Sequence, residues 1–249
     1  MRDNTRLTDA LAAFGLSLTE HQFAQLEQYY ELLIEWNEVM NLTAITEYEE
    51  VLVKHFADSL SLYQFYPEIQ KGKLLDLGTG AGFPGIPLKI AFPELEIVLL
   101  DSLNKRIGFL NTVIEQLGLT GITAIHARAE EAAGKAEYRE QFDYCVSRAV
   151  ARLSTLSEYA LPYVKCGGYF IPYKSGEIKE ETTEAKFAVN LLGGKIIKTE
   201  EFVLPDTDMK RSFIFIKKEK PTPKKYPRGQ GKPSKQPLMK GEHSPAKKE

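Results

Sequence analysis

Hydrophobic positions follow one rhythm up to about residue 70 and a different one beyond it. In the first part Leu7, Leu11 and Phe14 recur at helical spacing, and Gly15 follows as a stop that tolerates positive φ. Thr19 and Gln22 have the spacing of a capping box. Phe23, Leu26, Tyr30, Leu33 and Asn37 then share one face of a long helix, flanked by Trp36 and Met40. Thr46 and Glu49 repeat the capping pattern ahead of Val51 and Val53. These signals predict an N-terminal helical extension over residues 1–70.

From Lys73 the apolar residues gather into short runs separated by helical stretches, the pattern of a parallel sheet with crossover helices. Strands are expected near 73–77, 96–100, 122–126, 142–146 and 167–172, and helices near 85–92, 104–118, 152–162 and 177–192. The runs Lys195 to Leu204 and Ser212 to Lys217 add a closing pair of strands. The expected class is α/β: a Rossmann-like, seven-stranded sheet over residues 71–218 with helices on both faces. Past Lys218, six prolines from Pro221 to Pro245 among lysines and glycines predict a basic, flexible tail over 219–249.

The most informative segment is Leu74-Leu75-Asp76-Leu77-Gly78-Thr79-Gly80-Ala81-Gly82-Phe83-Pro84-Gly85, an apolar strand that runs into a glycine turn and then a helix. Glycines let the backbone turn tightly and let a ligand approach where a β carbon would collide. Asp101 ends the second strand, where a carboxylate accepts hydrogen bonds from ribose hydroxyls. Gly80, Gly82 and Gly85 also satisfy the dinucleotide fingerprint, so an NAD-dependent oxidoreductase is the competing reading. Two residues oppose it. Asp76 sets a negative charge where pyrophosphate would sit, whereas the ammonium and sulfonium of S-adenosylmethionine are attracted to it. Pro84 removes a backbone N–H from the anion-binding helix terminus.

The acid two residues before Gly78 and the spacing Gly78, Gly80, Gly82 resemble the cofactor loop of class I S-adenosylmethionine-dependent methyltransferases. Further segments extend the likeness: Asn41 to Thr46, Lys54 to Leu60, Asp101 to Arg106, Arg128-Ala129-Glu130, Ser147 to Ala151, and Lys225-Tyr226-Pro227-Arg228. Together these resemble the ribosomal RNA small-subunit methyltransferase G family, formerly glucose-inhibited division protein B, across nearly the whole chain. The resemblance implies cofactor contacts at Gly78, Phe83, Ala129, Glu130 and Arg148, with Asp101 holding the ribose. It also implies methylation of a guanine at N7 in the 530 loop of 16S rRNA, either naked or in a small-subunit assembly particle.

The residues themselves narrow the acceptor atom. Ser147-Arg148-Ala149-Val150 stands where enzymes that methylate exocyclic amines carry a polar-Pro-Pro-aromatic segment. Cys145 and Cys166 read as core residues rather than the nucleophiles that carbon methylation requires. Guanine N7 offers a lone pair and no proton, so positioning dominates and no catalytic base or metal ligand is assigned. His55 and Asp58 read as packing or capping residues. Arg148 and Arg152, four apart at a predicted helix start, are a candidate clamp for the cofactor or a phosphate. Lys105 and Arg106 are placed on the cofactor rim.

Charge adds a partner. The formal net charge is -2, yet Lys217 to Glu249 carries eleven Lys/Arg against three Asp/Glu, or +8, leaving -10 for the remainder. Such a tail suits a polyanion, so Lys224, Lys225, Tyr226, Arg228, Lys232 and Lys235 are the candidate RNA contacts. A noncatalytic RNA-binding protein is the third reading. Two cysteines without metal spacing, and no apolar run long enough to span a bilayer, point to a cytoplasmic protein without a membrane partner, and a monomer is expected.

Overall fold

The computed structural model describes residues 2–148 and 150–240. Helix α1 (Thr5–Ala13) stops where expected: Gly15 takes φ 73°, its N–H donates to the Ala12 carbonyl and the Leu16 N–H to that of Leu11. This is the paired ending that a left-handed glycine permits. Helix α2 (Glu20–Met40) begins with the predicted capping box of Thr19 and Gln22. The second box does not form. Helix α3 (Tyr48–Val51) is preceded by Glu47 without a side-chain cap, and the Thr46 carbonyl instead accepts a hydrogen bond from the Tyr30 hydroxyl. A wide π turn, Leu52–Ala57, follows, then α4 (Asp58–Leu60) and a 3-10 turn, Ser61–Gln64.

The sheet comprises β1 (Gly72–Leu77), β2 (Leu95–Asp101), β3 (Ile122–His126), β4 (Phe142–Arg148), β5 (Val164–Ser175), β6 (Gly194–Val203) and β7 (Lys210–Lys218). Their order is β3-β2-β1-β4-β5-β7-β6, with β1 to β5 parallel and β7 antiparallel to both its neighbours. The crossovers are α5 (Gly85–Ala91), α6 (Asn104–Gln116), α7 (Ala129–Ala132), α8 (Leu153–Ala160) and α9 (Lys179–Leu191). Strand addition reverses between β1 and β4, and a crevice opens at such a switch point beyond the carboxyl ends of the strands.

Alternate residues of each buried strand feed two cores, because successive side chains point to opposite faces. Leu74, Val146, Ile171, Phe213 and Phe215 pack with the N-terminal helices, α5 and α6. Leu75, Cys145, Phe170, Ile214 and Ile216 pack with α7, α8 and α9 on the other face. The seven-stranded α/β expectation therefore holds. Cys145 is buried as expected, but Cys166 is exposed on the early part of β5. Among the described residues no helix is long and apolar enough to cross a membrane.

The chain beyond β7 departs from expectation. Residues 219–240 lie against the second face, with Tyr226 and Leu238 buried in its core and a short helix, α10 (Lys232–Lys235), near the end. The Arg139 guanidinium donates to the carbonyls of Thr222 and Tyr226 at 2.9 and 3.0 Å. Lys218, fully buried, donates to Glu140 and to the carbonyls of Leu161 and Val164. Proline removes N–H donors but leaves carbonyls, and Arg139 from the folded body satisfies those of Thr222 and Tyr226 here. Flexibility over 219–240 is thus corrected, and 241–249 lie outside the described residues.

Candidate active site

The glycine turn stands at the carboxyl end of β1, and Gly78 and Gly80 both have positive φ, 71° and 62°. A β carbon on Gly78 would come within 2.8 Å of the Val150 side chain, so only glycine fits that position. Asp76 supports the turn from behind. It is fully buried, and its Oδ2 accepts from the Thr79 hydroxyl at 2.6 Å and the Gly85 N–H at 2.8 Å. Burial raises its pKa to about 6 against the lowering effect of those bonds and of Arg148. Tyr29 of α2, also buried, donates its hydroxyl to the Ala81 carbonyl.

A cavity of about 470 Å³ opens in front of the turn, lined by Gly78, Gly80, Phe83, Asp101, Arg106 and Arg148 among others. Asp76 and Gly82 lie behind it rather than in its wall. Asp101 is already engaged: it accepts from the Gly80 and Leu103 N–H groups at 3.0 and 2.9 Å and from Arg106 at 3.1 Å. A carboxylate has about four lone-pair sites, so it accepts one ribose hydroxyl as it stands and a second when Arg106 turns away. Ala129 and Glu130 follow β3, which pairs with β2 beside Asp101, but they do not line this cavity. The Ala129 carbonyl accepts from Tyr163 and the Glu130 carboxylate from the Gly231 N–H. Lys105 is exposed while Arg106 lines the wall, dividing a pair the sequence treats alike.

Arg148, at the end of β4, is the centre of a buried cluster. Its guanidinium donates to Asp58 at 2.9 Å, lies 3.3 Å from His55 Nδ1, and sits 4.9 Å from the Phe83 ring centroid. His55 stacks on Phe83 at 4.5 Å, and its Nε2 lies 2.8 Å from the Thr43 hydroxyl. Burial, and then the Arg148 charge, lower the His55 pKa to about 3, so the imidazole is neutral at ordinary pH. Asp58 also accepts from Arg211 of β7 at 2.7 Å, while Tyr173 of β5 donates to the Ser59 carbonyl. The π turn makes this convergence possible. The Asp58 N–H reaches back to the Val53 carbonyl, and the widened turn presents His55 and Asp58 together to Arg148.

His55 and Asp58 thus pack and bond around Arg148, and Thr43, Tyr29 and Arg211 join the surroundings without having been singled out in the sequence. Tyr29 stands beside Tyr30 of the expected apolar face, and nothing in that local pattern speaks of a loop fifty residues away. The predicted arginine pair does not share a helix. Arg148 ends β4, whereas Arg152 caps α8, is 73% exposed and pairs with Glu184. Both nevertheless line a second cavity, of about 750 Å³, which shares His55, Arg148 and Val150 with the first.

Of the candidate RNA contacts, Lys224, Lys225, Lys232 and Lys235 are exposed. Tyr226 is buried, and Arg228 is held by the fully buried Glu158 at 2.9 and 2.7 Å. Those two are fastenings of the C-terminal segment, with no ring face or free charge to offer a nucleic acid.

Comparison with known proteins adds a family. A family profile described as rRNA small subunit methyltransferase G matches residues 22–210. A Ribosomal RNA small subunit methyltransferase G from Lachnoclostridium phytofermentans is 61% identical over 239 residues, 96% of this chain and 99% of that relative. One of the same name from Alkaliphilus metalliredigens is 50% identical over 96% of this chain and 100% of its own length. Among solved structures, a variant of MtNAS in complex with S-adenosylmethionine aligns with TM-score 0.53 and 16% identity, covering 79% of this chain and 72% of that one, a likeness of fold. Through a profile that spans the glycine turn and Arg148, and through relatives alike from end to end, the chain belongs to the rRNA small subunit methyltransferase G family.

Proposed function

We propose that the protein transfers a methyl group from S-adenosylmethionine to N7 of a guanine in the 530 loop of 16S rRNA. The observation that carries the cofactor choice is where the turn spends its N–H groups. Those of Gly78, Thr79, Gly80, Gly82, Phe83 and Gly85 donate to acceptors within the chain, Pro84 has none, and among the described residues of the turn only the Ala81 N–H is left without an acceptor. A pyrophosphate needs such donors free, and Asp76 and Asp101 beside the turn oppose an anion further. A cationic cofactor with a ribose fits the same surface. Gly78, Gly80 and Phe83 would lie along it, Asp101 at the ribose, and Asp76 behind the turn as the balancing charge.

Bound there, S-adenosylmethionine supplies a methyl group on a sulfonium, an electrophile that a lone pair takes without acid-base help. The chain's own task is then placement, which contributes on the order of 7–11 kcal/mol in well-oriented reactions. His55 is a poor base, because its pKa of about 3 leaves the buried imidazole little affinity for a proton and its Nε2 is engaged by the Thr43 hydroxyl. Its neutrality adds no further positive charge beside Arg148 and Arg211, which share the Asp58 carboxylate, next to a base that itself becomes cationic. A cytoplasmic monomer with 16S rRNA or a small-subunit assembly particle as partner completes the reading.

The test is calorimetry with S-adenosylmethionine and with NAD, followed by methyl transfer from labelled cofactor to 16S rRNA and to small subunits. We expect S-adenosylmethionine alone to bind and the label to map to one 7-methylguanosine. Preferential NAD binding, or unlabelled RNA in both substrates, overturns the proposal.

A further inference from the structure

The second cavity has a chemistry of its own. Its wall carries the cations Lys54, Arg148, Arg152, Lys174 and Arg211 against the carboxylates of Asp58 and Glu181, in a chain whose formal net charge is -2. Lys174 and Glu181 pair with each other at 2.7 Å, and Asp58 is shared between Arg148 and Arg211. Arg211 is the partner with donors to spare. Its Nε–H goes to Asp58 and one further N–H to the Lys210 carbonyl at 3.2 Å. Among the described residues, the rest of its guanidinium meets only the Met209 sulfur, at 3.8 Å. An arginine that is 85% buried, aimed by a carboxylate and left with free N–H groups in a cavity is equipped to grip an oxyanion. Ile45 and Met209 give the same cavity apolar wall for a base.

Its position matters as much. It meets the glycine-turn cavity at His55, Arg148 and Val150, so an occupant of one touches the residues that bound the other. Guanine N7 inside an A-form helix faces a deep, narrow groove that side chains do not enter, and enzymes acting on such atoms take the base out of the stack. A volume of about 750 Å³ accommodates a single nucleotide.

Resting on the methyltransferase reading above, we propose that this cavity receives one extruded nucleotide of the RNA acceptor. Arg211, held in place by Asp58, grips a phosphate of that nucleotide. RNA affinity then resides partly in the folded body, beside the reacting atoms.

The experiment compares wild type, Arg211→Met and Arg211→Lys in filter binding of 16S rRNA across salt concentrations, in methyl-transfer kinetics, and in S-adenosylmethionine calorimetry. For R211M we expect the RNA KM to rise on the order of ten- to a hundredfold while cofactor Kd stays within about twofold. The slope of log affinity against log salt should fall by about one phosphate contact. R211K keeps the charge, so its slope should stay near wild type with a smaller rise in KM. R211M with wild-type RNA affinity and slope overturns the cavity assignment, as does an R211K that matches wild type should R211M fail to fold. A wild type that transfers no methyl, yet binds RNA through a contact R211M removes, overturns the methyltransferase reading and supports the cavity.

Discussion

Arg228 separates two accounts of the C-terminal segment: cation for RNA, or fastening for the fold. The structure supports the second and sets a magnitude. Glu158 is fully buried, and its oxygens accept the Arg228 backbone N–H at 2.8 Å, Nε at 2.9 Å and a terminal nitrogen at 2.7 Å. Removing one partner of a buried pair costs about 3–5 kcal/mol, because the charge left behind has lost both water and counterion. In Arg228→Met the backbone N–H still serves Glu158, so the lower end applies, about 3 kcal/mol. In a chain of this size that lowers Tm by about 6–12 °C. Glu158→Gln added to R228M removes the stranded charge and should recover about 1–2 kcal/mol. Thermal and urea unfolding measure all three proteins, and RNA binding is read well below the variants' melting range. R228M should bind 16S rRNA as wild type does. A variant that melts within about 2 °C of wild type but loses RNA affinity refutes the reasoning and returns Arg228 to the polyanion surface.

His55 offers a pH test. Its folded pKa of about 3 lies below the unfolded value near 6.5, so the unfolded chain binds the extra proton and the histidine's contribution to stability is lost as pH falls below 6.5. The stability gap between wild type and His55→Gln should therefore narrow by about 1.5–2 kcal/mol from pH 6.5 to 5, whereas parallel curves would place a protonatable imidazole in the native state. Asp76, raised to about 6, acts with the opposite sign between pH 4 and 6 but is common to both proteins and cancels. Gly80→Asp puts a second carboxylate beside Asp101, to which the Gly80 N–H donates, at φ 62°. We expect calorimetry to show lost cofactor binding and filter binding to show retained RNA affinity, and intact cofactor binding would mean the turn does not contact the ligand.

The strands and helices were legible in the sequence wherever a local rule covered them. Short apolar runs and glycine stops are properties of short segments, which is why 122–126 and the start of β4 at Phe142 fall where the pattern puts them. The glycine turn and Asp101 were legible for the same reason, since strand, turn and acid lie in one stretch of chain. The same rules erred where a distant partner overrode them. Proline and lysine past β7 signal a mobile tail in isolation, but Arg139 and Glu158, more than sixty residues away in the chain, supply the acceptor and donor groups that hold it down. Thr46 has capping chemistry without a cap, because Tyr30 takes its carbonyl.

The cluster around Arg148 shows the limit most plainly. His55, Asp58, Arg148 and Arg211 come from a π turn, the first residue of the α4 that follows it and two strands of opposite direction, with up to 153 positions between bonded partners. Each alone resembles an ordinary charged or packing residue. Their meaning comes from burial, which strips away water and makes each depend on the others, and burial is decided only when the sheet closes over the turn. Composition and spacing determined that there is a sheet, a turn and an acid. Which side chains meet in front of them was left to tertiary packing, since no local pattern encodes the approach of residues so far apart.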